Sequence, residues 1–218
     1  MKSILRILWH LLLFVFLTAL TQIGGVVFLI SSIISGRIKA DFKFKILAVF
    51  LPLYLLFTFA IAPFLAPLFG REKIQYGEPT NYMTILLNHN YVKPELNTLL
   101  KKLEGLTSYE KTNIHYLDAN FPFFDNFPLL PHLSHNDGKK LDLSLIYENE
   151  DGTISNEQKS LSGYGVYEGP KDGEHNQIEH CKNAGYFQYD FPKYLSFGSI
   201  NDELKFSEKG TKQACRSY

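Results

Sequence analysis

Two long runs without a charged side chain open the chain: none lies between Arg6 and Arg37, and none between Lys45 and Arg71. A helix needs roughly 20 apolar residues, at about 1.5 Å each, to cross a hydrocarbon core. The pattern therefore predicts two transmembrane helices, over about 7–35 and 46–69. Pro52, Pro63 and Pro67 in the second would break a helix in water. In a membrane such breaks are tolerated when neighbours re-satisfy the freed carbonyls. Gly24 and Gly25 in the first allow close helix contact. The first run exceeds the 7–15-residue core of a signal peptide, and no small-residue cleavage site stands out, so it reads as a retained anchor. A buried core helix is the alternative, and length without charge argues against it.

From Gly70 onward the pattern turns polar, and residues 71–218 read as one soluble domain behind a transmembrane anchor of residues 1–70. Leu96, Leu99, Leu100 and Leu103, with Pro94 before them and Gly105 after, predict an amphipathic helix over Pro94–Leu106. Ile114–Leu117 resembles a strand. Asn136-Asp137-Gly138 is a turn signal, because Asn and Gly accept positive φ. Alternation after it predicts a strand over 141–147, with Leu141, Leu143, Leu145 and Tyr147 on one face and Asp142 on the solvated other. A second turn is expected at Asn149–Gly152, a short strand at Gly163–Tyr167, a loop over Glu168–Cys181, and a helix starting near Phe206–Lys212. The expected fold class is two N-terminal transmembrane α-helices plus an α+β domain with a mainly antiparallel sheet.

Composition changes this picture little. The mean hydropathy of −0.08 averages two unlike parts. Balanced charge, with 22 basic and 22 acidic residues, gives no nucleic-acid footprint. The local distribution is more informative. Arg37, Lys39, Lys43 and Lys45 crowd the connector between the runs, which the positive-inside rule assigns to the cytoplasm. The polar domain is then extracytoplasmic. Lys2 and Arg6, and Arg71 and Lys73 past the second run, argue the other way. Cys181 and Cys215 permit one disulfide without specifying it, and there is no CxxC pattern.

Candidate chemistry centres on His135, Gly138 and Asp142, spaced HxxGxxxD. A turn at Gly138 lets an imidazole and a carboxylate approach, and both suit Zn²⁺ at about 2.0–2.2 Å. A catalytic zinc takes three protein ligands and an open water position, so two ligands leave the set incomplete. His175 and His180, beside Glu174 and Glu179, are the downstream histidines; a solvated polar loop is the alternative for them. His132 packs beside the turn, and His10 lies near the end of the first apolar run, within reach of the interface. His89 and His115 have no partner pattern and read as structural.

The stretch YLDANFPFFDNFPLLPHLSHNDGKKLDLSLIY resembles a group of membrane-anchored bacterial proteins related to the D-alanyl-D-alanine peptidases. That superfamily includes the penicillin-insensitive murein endopeptidases and the hedgehog signalling domain. The resemblance implies that His135 and Asp142 are zinc ligands, and that the chain sits in the cell (inner) membrane beside peptidoglycan peptide. It departs at Leu133 and Lys140, where the superfamily often has Ser and Ala. It also implies a later HxH-type motif with a carboxylate base, which does not follow Asp142; a further segment carrying it is expected. Two functions follow as expectations: a zinc metallopeptidase-like protein acting on cell-wall peptide, or a non-catalytic membrane-tethered binding or scaffold module.

Overall fold

The computed structural model describes residues 2–40, 42–107, 112–129, 135–166, 168–186 and 201–216. They form two compact units, and these cut across the expected boundary at residue 70. The first unit holds 1–75, 83–98 and 118–141; the second holds 76–82, 99–117 and 142–218. The apolar helices thus share a unit with two segments of the polar region.

The first apolar run is two helices rather than one. Helix α1 spans Lys2–Thr21 and α2 spans Gly24–Arg37. The reversal sits at Gln22, whose φ is +64. Thr21 stabilises it by donating to the Leu17 carbonyl at 2.9 Å while its hydroxyl oxygen accepts the Gly24 N–H at 2.8 Å. Helix α2 then runs back along α1. Gly25 lies against Phe14 and Thr18, Gly24 against Leu17, and the His10 and Phe28 rings stand 5.7 Å apart. A Cβ on Gly25 would come within 1.9 Å of Thr18 Oγ1, so the two glycines do serve close contact, between α1 and α2. Lys2 and Arg6 consequently fall at the same end as the connector after Arg37.

Helix α3 spans Lys45–Leu56 and continues through a π-helical turn, Phe57–Ile61, a short helix α4, Ala62–Leu65, and a 3₁₀ turn, Ala66–Phe69. The prolines explain the irregularity. Pro63 has no N–H to give the Phe59 carbonyl, and the preceding turn is widened so that Ala62 N–H reaches Phe57. Gly70, at φ +68, ends the run. Its N–H donates to Pro67 and that of Arg71 to Ala66, a Schellman pattern that turns the chain sharply.

The segments Ser3–Thr21 and Lys45–Phe69 are long and apolar enough to cross a membrane. Only 6% of the most apolar window of the first, and 11% of that of the second, is buried. Leu5, Trp9, Leu12, Phe16, Phe59 and Phe64 are all more than half exposed. A core helix of a soluble protein would hide such side chains.

The rest is α+β, built from very short strands. In the first unit, β1 (Glu72–Lys73) pairs antiparallel with β3 (Tyr91–Val92). Helix α5 covers Tyr82–Leu86, and α6 covers Pro94–Thr107, matching the leucine stripe. In the second unit, β2 (Glu78–Pro79) runs parallel to β4 (His115–Asp118), with β5 (Asp142–Leu143) on the far side of β4. A second sheet places β6 (Tyr147–Glu148) between β7 (Ile154–Ser155) and β8 (Lys205–Phe206), both antiparallel. The β1–β3, β6–β7 and β6–β8 pairings are therefore antiparallel, and β2–β4 is parallel.

Several expectations are corrected. The strand over 141–147 is divided: β5 and β6 belong to different sheets, and Ser144 N–H bonds the His115 carbonyl before the chain leaves β4. Residues 139–141 after the Asn136–Gly138 turn are not in a strand, and residues 130–134 before it lie outside the described residues. Residues 163–166 are not a strand: Gly163 and Gly165 form bends at positive φ, and residue 167 lies outside the described residues. The 168–181 segment is not all loop, because α7 (Gln177–Asn183) starts there, capped by Asn176, whose side chain accepts the Glu179 N–H. The turn at Asn149–Gly152 is present and joins β6 to β7. Helix α8 (Glu208–Arg216) follows β8.

Candidate functional site

The Gly138 turn, in the first unit, is held by several hydrogen bonds. Asn120 holds it from one side: its Oδ1 accepts the Gly138 N–H at 3.0 Å, and its Nδ2 donates to the Lys140 carbonyl at 2.9 Å. Asn120 is itself fixed by an antiparallel bridge to Tyr91. Lys93 N–H bonds the Gly138 carbonyl at 2.8 Å, and Asn126 N–H bonds that of Asn136 at 2.7 Å. Within the turn, Asp137 Oδ1 accepts the Lys139 N–H at 3.0 Å. That bond holds the Asp137 carboxyl below its usual range; slight burial opposes it, and Lys140, Lys139 and Arg71 reinforce it.

Arg71 closes the turn. The Schellman pattern at Gly70 directs it inward, where it is 1% exposed. Its Nη2 donates to Asp125 Oδ1 at 2.5 Å, and Lys93 Nζ lies 3.8 Å from Asp125 Oδ2. Arg71 Nε and Nη1 are buried without a hydrogen-bond partner among the described residues. Burial pulls the guanidinium below its ordinary value, while Asp125 and Asp137 push it back. Gly138 has φ +76, and a Cβ there would sit 1.1 Å from Arg71 Nη1. The glycine of HxxGxxxD is thus required twice, by its backbone and by the cation over it.

His135, at the start of this turn, is buried in the first unit, 6% exposed. Asp142 lies on β5 in the second unit. It is half-buried rather than solvated, and its Oδ2 accepts the Tyr164 hydroxyl at 2.8 Å. Tyr164 carries no pattern that marks it beforehand. An imidazole and a carboxylate are donors that zinc accepts, but they supply two of the three it needs. Among the described residues, no group of three or more His, Cys, Asp or Glu is placed to hold a metal ion. His175 and His180 are exposed, with rings 5.4 Å apart. His132 lies outside the described residues.

His89, read from sequence as lacking a partner, has two. In the first unit its Nδ1 is 3.0 Å from Asp118 Oδ1, its Nε2 is 3.2 Å from the Leu20 carbonyl, and its ring meets Phe121 edge-on at 4.6 Å. Phe123 N–H bonds Gln22 Oε1 at 3.0 Å beside it. The α1–α2 reversal is therefore docked on His89 and Phe123, in the same unit. His10 Nδ1 lies 2.8 Å from the Arg6 carbonyl, within its own helix. His115, on β4, has its pKa lowered by burial, partly offset by Glu78. Cys181 is a free buried thiol that accepts from Gln177.

Comparison of the chain with protein-family models, with curated proteins and with solved structures gives no match.

Proposed function

We propose that this chain is a membrane-anchored, zinc-peptidase-like protein that acts on cell-wall peptide by hydrolysing peptide or amide bonds. The observation that carries the reading is the Gly138 turn, where the spacing His135-Gly138-Asp142 coincides with a glycine pinned under a buried guanidinium. Zinc, when bound, would lower the pKa of a water toward 7 and polarise the scissile carbonyl. His135 and Asp142 are the ligands the motif names. Arg71, with two spare N–H donors, has the chemistry to receive a peptide carboxylate, because guanidinium pairs with carboxylate in two parallel bonds.

Anchoring follows from the two exposed apolar segments. Because α2 runs back along α1, the six basic residues Lys2, Arg6, Arg37, Lys39, Lys43 and Lys45 gather at one end. The positive-inside rule then reads Lys2 and Arg6 together with the connector, and only Arg71 and Lys73, past the second span, stand at the other end. This end is cytoplasmic in our reading. The opposite end, with the Gln22 reversal and the His89 and Phe123 contacts on it, faces outward from the cell (inner) membrane in this reading.

A second reading, a non-catalytic binding module for the same peptide, is favoured by one observation. The Asp142 carboxylate already accepts the Tyr164 hydroxyl, as a structural aspartate would. The two readings separate in one experiment. The detergent-solubilised full chain, loaded with zinc, is incubated with purified peptidoglycan peptides, and products are followed by mass spectrometry. Chelator-sensitive cleavage that His135→Ala abolishes supports the peptidase. Retained peptide binding without cleavage supports the module, and neither binding nor cleavage sinks both.

A further inference from the structure

A groove of about 540 Å³ opens among α1, α2 and the start of α3, all within the first unit. Trp9, Leu13, Phe28 and Phe50 are among its apolar walls, and Lys43 and Lys45 also line it. None of the described residues lining it is a carboxylate. Lys45 Nζ donates only a long bond, 3.4 Å, to the Ile38 carbonyl, and Lys43 Nζ stands 5.5 Å from the Phe44 ring centroid. Asp41 is the single acid in the first 71 residues, against the six basic residues Lys2, Arg6, Arg37, Lys39, Lys43 and Lys45 of this end. The groove thus joins a hydrocarbon-lined trough to two ammoniums that lack a carboxylate partner among the described residues.

We infer that this groove binds one anionic phospholipid, its acyl chain along Trp9, Leu13, Phe28 and Phe50 and its phosphate between Lys43 and Lys45. The inference rests on the membrane part of the proposed function. Charge complementarity selects the occupant. An apolar trough alone accepts any lipid tail, but two ammoniums beside it favour a headgroup with net negative charge, each contributing roughly fivefold in occupancy. A basic pocket between membrane helices on the cytoplasmic side is a general way to hold anionic headgroups, and the gathered basic end puts this groove there. The lysines' weak internal contacts leave their N–H donors available to phosphate oxygens.

Trp9 is the only tryptophan in the chain and lines the groove, so its fluorescence reports on this site alone. The full chain is reconstituted in phosphatidylcholine vesicles containing a small fraction of brominated lipid. Brominated phosphatidylglycerol should quench Trp9 at least fivefold more effectively than the same fraction of brominated phosphatidylcholine. In the Lys43→Gln/Lys45→Gln variant the two lipids should quench equally. Lys39→Gln removes one positive charge from the same end without touching the groove, and should keep the preference. Equal quenching in the unaltered chain overturns the groove while leaving the membrane reading intact. Loss of preference in Lys39→Gln as large as in the double variant also overturns it, because general surface charge would then explain the effect. Absence of quenching by either lipid overturns the membrane reading and the groove with it.

Discussion

Arg71 lies over Gly138 so closely that a single added methyl would come within 1.1 Å of its Nη1. Gly138→Ala must therefore move a buried cation and also hold alanine at φ +76. We expect a loss of about 2–4 kcal/mol, read as a fall in thermal midpoint in detergent. A double-mutant cycle isolates the contact. With Arg71→Ala in place, the cost of Gly138→Ala should drop to the roughly 1–2 kcal/mol of the left-handed backbone alone. Strict additivity of the two substitutions would show that they do not meet.

The α1–α2 reversal makes a topological prediction that one long span would not. Single cysteines at Ser3 and at Lys39, in a chain with Cys181 and Cys215 changed to Ser, should react with a membrane-impermeant maleimide from the same side. A cysteine at Gln22 should react from the opposite side only, or be protected. Labelling of Ser3→Cys and Lys39→Cys from opposite sides would restore the single span.

What the sequence made legible, and what it did not, divides along physical lines. Burial of one stripe fixes a helix whatever surrounds it, so α6 matched its leucines, and β4 and the Asn149–Gly152 turn followed from equally local chemistry. The break at Gln22 was hidden because both flanks are apolar, and hydropathy does not register a reversal between two equally apolar helices. Only Thr21, whose hydroxyl serves both helix ends, carries a local signal of it. The strand over 141–147 failed because alternation is satisfied equally by two short strands in separate sheets. At the candidate site, the turn at Gly138 was legible from Asn136-Asp137-Gly138. Arg71, Asn120 and Asp125 were not, since Arg71 and Asp125 pair across 54 residues of chain and Asn120 arrives by a separate strand bridge, and no periodicity links them.

His89 and Asp118 should act as a unit. Both are nearly buried, and removing either leaves the other without its ring or carboxylate partner. His89→Ala or Asp118→Ala should each cost about 2–4 kcal/mol, and the double variant clearly less than their sum. Because His89 also touches the Leu20 carbonyl, the His89 variant should raise hydrogen exchange at residues 20–24. Unchanged exchange there would mean that the histidine does not dock the reversal.

Acid should weaken the second unit through His115. Burial lowers its folded-state pKa below the ordinary 6.5, so the unfolded chain takes up the proton first. Its contribution is fully present above pH 6.5 and is lost as the pH falls from there toward the lower folded value. Urea unfolding of the full chain at pH 7.5 and pH 5.5 should show this loss, and His115→Gln should diminish it. An identical pH dependence in that variant would assign the loss to other groups.

The central claim is that His135 and Asp142 are ligands of one zinc ion. Isothermal titration of the detergent-solubilised, metal-stripped chain with Zn²⁺ tests it most directly. The account predicts saturable binding at one ion per chain, weakened at least tenfold by His135→Ala and by Asp142→Ala alike, with the His175→Ala/His180→Ala variant unchanged. Zinc binding that survives both His135→Ala and Asp142→Ala undiminished would contradict it.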